Sequence, residues 1–162
     1  MAEREDFEEY VAARYGALVR SAYLLVGNRA DAEDLVQTAL SRLVSAWPRI
    51  SGDPERYVRT VLVRESVTRW RRRRWREVST ERLPEAAAPG QLDQAAADRV
   101  ALHSALGQLS PRQRAVVFLR FYEDLTVAET AEVLRCSEGT VKSQTHDALA
   151  RLRGLLPDLT PQ

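Results

Sequence analysis

The sequence contains a single cysteine, Cys136, so an internal disulfide is excluded, and two scattered histidines beside one thiol offer no spacing that would ligate zinc. Neither a metal nor a cofactor is expected. No run approaches the roughly 20 apolar residues of a membrane span. The start, Met1-Ala2-Glu3-Arg4-Glu5-Asp6, is too acidic for a secretory signal. A cytoplasmic protein without membrane insertion is the expectation. Strand-like alternation and internal repeats are missing, which points away from sheet folds and solenoids. No convergent nucleophile, base or metal set is present, which argues against an enzyme. What the 162 residues do have is 44% hydrophobic content, enough for the core of one ordinary domain or of two small ones.

The net charge of +1 conceals a strong separation. Residues 1–52 carry six arginines against eight acids, whereas residues 53–76 carry nine arginines against Asp53, Glu55 and Glu65. Residues 77–98 swing back, with Arg82 alone against Glu77, Glu81, Glu85, Asp93 and Asp98. An arginine-dense block followed by an acidic one fits a nucleic-acid surface next to a segment that must stay off it or that mimics it.

Apolar residues from Phe7 to Val26 step by threes and fours until Gly27-Asn28, which predicts a first amphipathic helix. Asp31 is a good N-cap for a second helix through Leu35, Ala39, Leu43 and Trp47, ending at Pro48. After a loop at 49–54, a third helix opens at Asp53 or Pro54 and runs to about Arg74. On its wheel Val58, Val61 and Leu62 form one stripe and Val63, Val67 and Trp70 a second, which either packs under the first helix or presents an aromatic beside guanidinium groups. The string EVSTERLPEAAAPGQLDQ has no apolar period and reads as a linker, expected to be mobile. Periodicity resumes at Val100, Leu102, Leu106 and Leu109. Ser110-Pro111 then launches a helix through Val116, Val117, Leu119, Phe121 and Tyr122. The predicted fold class is all-α: a three-helix bundle (1–76) and a four-helix domain (99–158), joined by a flexible acidic linker (77–98).

From Leu125 the chain reads LTVAETAEVLRCSEGTVKSQTHDALARLRGLL, which satisfies the demands of a helix-turn-helix. Ala131 is small where the helices cross, Val127, Val133 and Leu134 form the first helix's buried face, and Ser137 can cap the second. Val141, Thr145, Ala148, Leu152 and Leu155 then share one face. The opposite face carries Gly139, Lys142, Ser143, His146 and Asp147, short or polar groups able to reach base edges or phosphates. The same pattern also describes an antiparallel helical hairpin with a solvated polar face.

DAEDLVQ at 31–37, then an arginine-rich helix, a linker and a GTVKS helix, resembles the extracytoplasmic-function sigma factors of the sigma-70 superfamily, in particular the actinobacterial sigma-E-like group, over about residues 5–156. The resemblance implies a region-two domain that grips core RNA polymerase and reads and melts the minus-ten promoter element. A region-four domain would read the minus-thirty-five element. It places Asp31, Asp34, Leu35 and Gln37 against the clamp coiled coil of the polymerase's largest subunit, with region four near the second-largest subunit's flap. Asp34 also serves as an N-terminal helix stabiliser and Gln37 as a solvated surface group. The resemblance assigns Arg49, Ser51, Asp53, Arg56, Tyr57, Arg59, Arg64, Trp70, Arg71 and Arg74 to minus-ten DNA. Ser51, Asp53 and Tyr57 would receive a flipped base, although Gly52-Asp53-Pro54 is equally a turn and cap. It assigns Arg112, Thr140, Lys142, Ser143, Gln144, His146, Asp147 and Arg151 to the minus-thirty-five element. An anti-sigma factor is a further possible partner.

Two residues depart from the usual pattern. Arg135 stands where many helix-turn-helices place glycine, so a differently shaped turn is open. Asp147 stands where relatives often carry arginine; it accepts, for instance from a cytosine amino group, and repels phosphate. The competing reading is an autonomous helix-turn-helix regulator that needs no polymerase.

Overall fold

The computed structural model describes residues 2–69 and 93–156, and every element among them is helical. In chain order these are α1 (Ala2–Val26), α2 (Arg29–Ala46), a 3-10 turn (Trp47–Arg49), α3 (Pro54–Arg69), α4 (Asp93–Gln108), α5 (Pro111–Val117) running into a π turn (Phe118–Tyr122), α6 (Val127–Leu134) and α7 (Glu138–Leu155). The linker expected at 77–98 lies outside the described residues up to 92. Its last six positions, 93–98, are helical and belong to α4.

The helix boundaries follow from side chains that satisfy orphan backbone groups. Gly27, at φ 83°, ends α1 in a conformation that suits a residue without Cβ. The N-cap of α2 is Asn28 and not Asp31: the Asn28 Oδ1 accepts the Asp31 N–H at 2.9 Å, and Asn28 donates to the Asp31 carboxylate at 2.6 Å. Asp53 starts α3 by accepting the Glu55 N–H at 2.9 Å. Reciprocal capping boxes, Ser110 with Gln113 and Thr126 with Glu129, open α5 and α6. Ser137 caps α7 as expected. The turn between α6 and α7 keeps the left-handed geometry without glycine: Arg135 sits at φ 56°, ψ 47°, and its N–H bonds back to the α6 carbonyls.

Leu18, Ala22, Leu25, Leu35, Val36, Ala39, Leu43, Val58 and Leu62 join α1, α2 and α3 in one core. Both predicted α3 stripes enter it as far as described, with Val63 fully buried and Val67 packed at its edge. Ala115, Val116, Leu119, Val133 and Leu134 of the C-terminal unit continue the same cluster, because α5 and α6 pack directly on α3 and α5 also touches α1. The two units therefore share a core. Leu106, Leu109 and Ala148 form a smaller cluster between α4 and α7. Five residues named in the apolar pattern of the sequence, Val100, Leu102, Phe121, Tyr122 and Leu155, are exposed. For Phe121 and Tyr122 the cause is the π turn, whose wider winding rotates following side chains away from the face that α5 buries.

Candidate nucleic-acid interface

On α7, burial of Val141 and Ala148 fixes the helix's rotation. Lys142, Ser143, His146, Asp147 and Arg151 are exposed as a result, while Thr140 and Gln144 are partly covered at the rim. Lys142 is the chain's one lysine. His146 Nδ1 lies 3.5 Å from Asp147 Oδ1, so these two polar groups sit side by side on the outward face. Arg112 is exposed at the start of α5, which packs against α7. Of the eight residues expected to read one DNA element, five are exposed on α7, two are half-covered on the same helix, and Arg112 is exposed on the neighbouring α5.

The second cluster surrounds the loop between the 3-10 turn and α3. Arg49, Ser51, Asp53 and Arg56 are exposed and Tyr57 is half-buried. A cleft of about 700 Å³ opens here, lined in part by Gly52, Asp53, Tyr57, Thr60, Arg64 and Arg135. That volume lies in the range of small-ligand pockets, roughly 300–1,000 Å³. Trp70, Arg71 and Arg74 fall outside the described residues.

Helix α1 braces both ends of this loop. Phe7 and Tyr10 pack on Trp47, with ring centroids 5.4 and 5.8 Å away. Beyond the loop, Glu55 accepts hydrogen bonds from Tyr10 Oη at 2.7 Å and Arg14 Nε at 2.6 Å. Burial works against the Glu55 charge, but the bonds from Arg14 and Tyr10 outweigh it and hold the carboxyl below its ordinary range. Burial, with the Glu55 carboxylate beside it, pushes the Tyr10 phenol up. Because the folded Glu55 binds its proton less readily than the unfolded one, its contribution to stability is complete above the ordinary carboxylate range. It is lost as pH falls through the depressed folded value. Glu55→Gln is expected to flatten the acid limb of a urea-midpoint-against-pH curve; an unchanged limb would show that the brace carries no such energy.

Two of the arginines expected to face DNA are engaged inside the protein. Arg64 Nε donates to the Val133 carbonyl at 2.7 Å, and Arg59 pairs with Glu123 at 3.5 Å. Burial, then the nearby Arg135 charge, lowers the Arg64 pKa. On α2, Asp34 and Gln37 are exposed, as a partner surface requires. Asp31 and Leu35 are not: Leu35 is fully buried and Asp31 is turned inward to Asn28, so neither offers a side chain to a partner. Sequence reasoning missed Arg69, which holds Asp34 at 2.5 Å and Thr38 at 2.6 Å and ties the α2 surface to α3. In the sequence it is one of nine arginines between 53 and 76, and no spacing rule connects it to α2.

The fold and these surfaces define an all-helical protein of the helix-turn-helix DNA-binding class, with a helical bundle ahead of the motif that carries arginines along α3. Residues 10–76 match the family model described as Sigma-70 region 2, and residues 99–152 match Sigma-70, region 4. The chain is 46% identical over 155 residues to the RNA polymerase sigma-E factor of Streptomyces coelicolor, covering 94% of this chain and 87% of that protein. It is 37% identical to the ECF RNA polymerase sigma factor SigL of Mycobacterium tuberculosis, covering 96% and 89%. Among solved structures it resembles the sigma factor RpoE of Bartonella quintana, determined in complex with the anti-sigma factor NepR (TM-score 0.71, 26% identity, 96% of this chain and 99% of that chain). It also shares the fold of CnrH, determined with the cytosolic domain of CnrY (TM-score 0.65, 22% identity, 97% and 91%). The chain belongs to the sigma-70 family, as an extracytoplasmic-function sigma factor that binds core RNA polymerase and directs promoter-specific transcription initiation. Among the described residues no helix is long and apolar enough to cross a membrane.

Proposed function

We propose that the outward face of α7, with Lys142, Ser143, His146 and Asp147 at its centre and Arg112, Thr140, Gln144 and Arg151 at its edges, reads the minus-thirty-five element in the major groove. The observation that carries this reading is the complete burial of Val141 and Ala148, which leaves the polar side of the helix as the one open to DNA. The loop Arg49 to Asp53 with Tyr57 takes the flipped base of the minus-ten element, and the cleft beside it is roomy enough for one. The exposed Asp34 and Gln37 dock on the clamp coiled coil of the largest polymerase subunit, while Asp31 and Leu35 act from beneath by fixing the start of α2. Region four meets the second-largest subunit's flap, and an anti-sigma partner restrains the two heads. The protein works in the cytoplasm and performs no catalysis of its own.

A polymerase-binding titration tests this reading. Asp34→Ala with Gln37→Ala removes one charged and one neutral hydrogen-bonding group. Bonds to charged groups contribute roughly 1.5–3 kcal/mol, so core affinity is expected to fall by at least about 10-fold, with region-four DNA contacts spared. Normal core binding by the double variant would remove the proposed interface.

A further inference from the structure

Two unfavourable terms meet at Arg135. Its backbone is left-handed, at φ 56°, ψ 47°, a conformation that suits glycine and strains a residue with a side chain. Its guanidinium also stands near a like charge: burial, and then the Arg135 charge, lowers the Arg64 pKa. The residue is exposed, so apolar burial does not offset the strain, and among the described residues it makes no ion pair. A strained residue whose side chain the fold itself does not use marks a side chain with a partner from outside.

The chemistry of that partner follows from the cleft that Arg135 lines. Four arginines, Arg42, Arg56, Arg64 and Arg135, stand in its lining against Asp53 and Glu65 alone. Glu65 is taken by Arg42 at 2.6 Å, and Asp53 accepts the Glu55 N–H at the start of α3. Arg56 reaches the Glu132 carboxylate only at 3.9 Å, and Arg64 donates to the neutral carbonyls of Val133 and Glu132. The cleft is therefore cationic. Tyr57, half-buried in the same lining, offers an aromatic ring.

We propose that this cleft binds a nucleoside di- or triphosphate, its phosphates held by Arg56, Arg64 and Arg135 and its base stacked on Tyr57. An anion between two guanidinium groups replaces their repulsion by shared attraction, and phosphate oxygens suit the planar fork of arginine. Three arginines without a close carboxylate call for more than one phosphate, and the volume is large enough for a nucleotide. The site is composite: Arg56, Tyr57 and Arg64 come from α3 and Arg135 from the turn between α6 and α7. It does not rest on the minus-ten reading of Tyr57, in which Arg135 has no part.

Calorimetric titration of the free full chain at fixed ionic strength tests the proposal, with metal-free ATP and inorganic tripolyphosphate as probes. ATP is expected to saturate one site per chain. Tripolyphosphate should bind at least about 5-fold more weakly, because it lacks the stacked base. Arg135→Gly is expected to weaken ATP at least about 10-fold by removing a charge-assisted contact. The same variant should keep or raise the thermal midpoint measured without ligand, because glycine fits the left-handed turn, so lost binding is not lost folding. Tyr57→Leu should weaken ATP and leave tripolyphosphate unchanged. ATP heats that do not saturate, or that match those of sulfate, overturn the proposal, and so does parental ATP affinity in Arg135→Gly. Equal affinity for ATP and tripolyphosphate overturns the nucleoside half of it. If Arg135→Gly binds ATP as the parent does while its holoenzyme loses promoter affinity, the partner of Arg135 is DNA and the nucleotide site is wrong.

Discussion

Replacing Arg114 with methionine is expected to destabilise the protein by on the order of 3 kcal/mol, because buried carbonyls left without a donor cost about 1–3 kcal/mol each. Arg114 is 4% exposed, and its guanidinium is held by backbone oxygens: Nε donates to the Leu25 carbonyl at 2.9 Å, and Nη1 to the Leu106 and Leu109 carbonyls at 3.1 and 3.2 Å. Leu25 and Leu106 lie in the last turns of α1 and α4, so one cation sits at the negative ends of two helices and joins region two to region four. Burial pulls its pKa down to about 10, which still leaves it charged at neutral pH. Methionine keeps much of the apolar stem and loses the planar fork. Arg114→Lys keeps a charge but has no fork to reach carbonyls in two directions, and should recover part of the loss. Urea unfolding measures both, and a change below about 1 kcal/mol for the methionine variant would contradict this role.

The second large effect is expected at Lys142. Charge reversal by Lys142→Glu removes the proposed contact to base or phosphate and adds repulsion. A good base contact alone is worth about 1–3 kcal/mol, so transcription that depends on the upstream element should fall about 10- to 100-fold. Ser143→Ala should have a smaller effect in the same direction, since it removes one hydroxyl and no charge. Because Lys142 is the chain's one lysine, amine acylation offers an independent readout. Apart from the terminal amine it has a single target, which promoter DNA should protect in the holoenzyme. Reactivity unchanged by DNA would place Lys142 outside the interface.

Which parts could be anticipated depended on how local their causes are. The helix-turn-helix was readable because its determinants lie within one stretch: Ala131 at the crossing, Ser137 as a cap, Val141 and Ala148 at helical spacing. The capping boxes Ser110 with Gln113 and Thr126 with Glu129 carry an equally local signal. Asn28 was harder, since Asn28 and Asp31 are both good caps three residues apart and only the backbone decides between them. At Arg135 a general cost was outweighed by the turn, which retains its left-handed residue and its bonds to α6.

The engaged arginines mark the limit of a one-dimensional reading. Composition shows that α3 is basic, but not that Arg59 points at Glu123 or that Arg64 reaches carbonyls nearly 70 positions away. Glu123 and Glu132 look like ordinary solvated acids until α6 is laid against α3. Likewise Asp31 and Leu35 belong to the motif that carries the family resemblance, yet face the core; the helix that presents Asp34 and Gln37 depends on them from behind.

The most direct test of the central claim is sequencing of the transcripts made by core polymerase reconstituted with this protein on a genomic library. The expected result is a set of discrete start sites that appear only with both components present. They should share two upstream elements about 25 base pairs apart, the farther one altered in preference by Asp147→Arg towards guanine. Contradiction would be the absence of promoter-dependent transcripts from every template, with tight sequence-specific footprints by the isolated protein in their place.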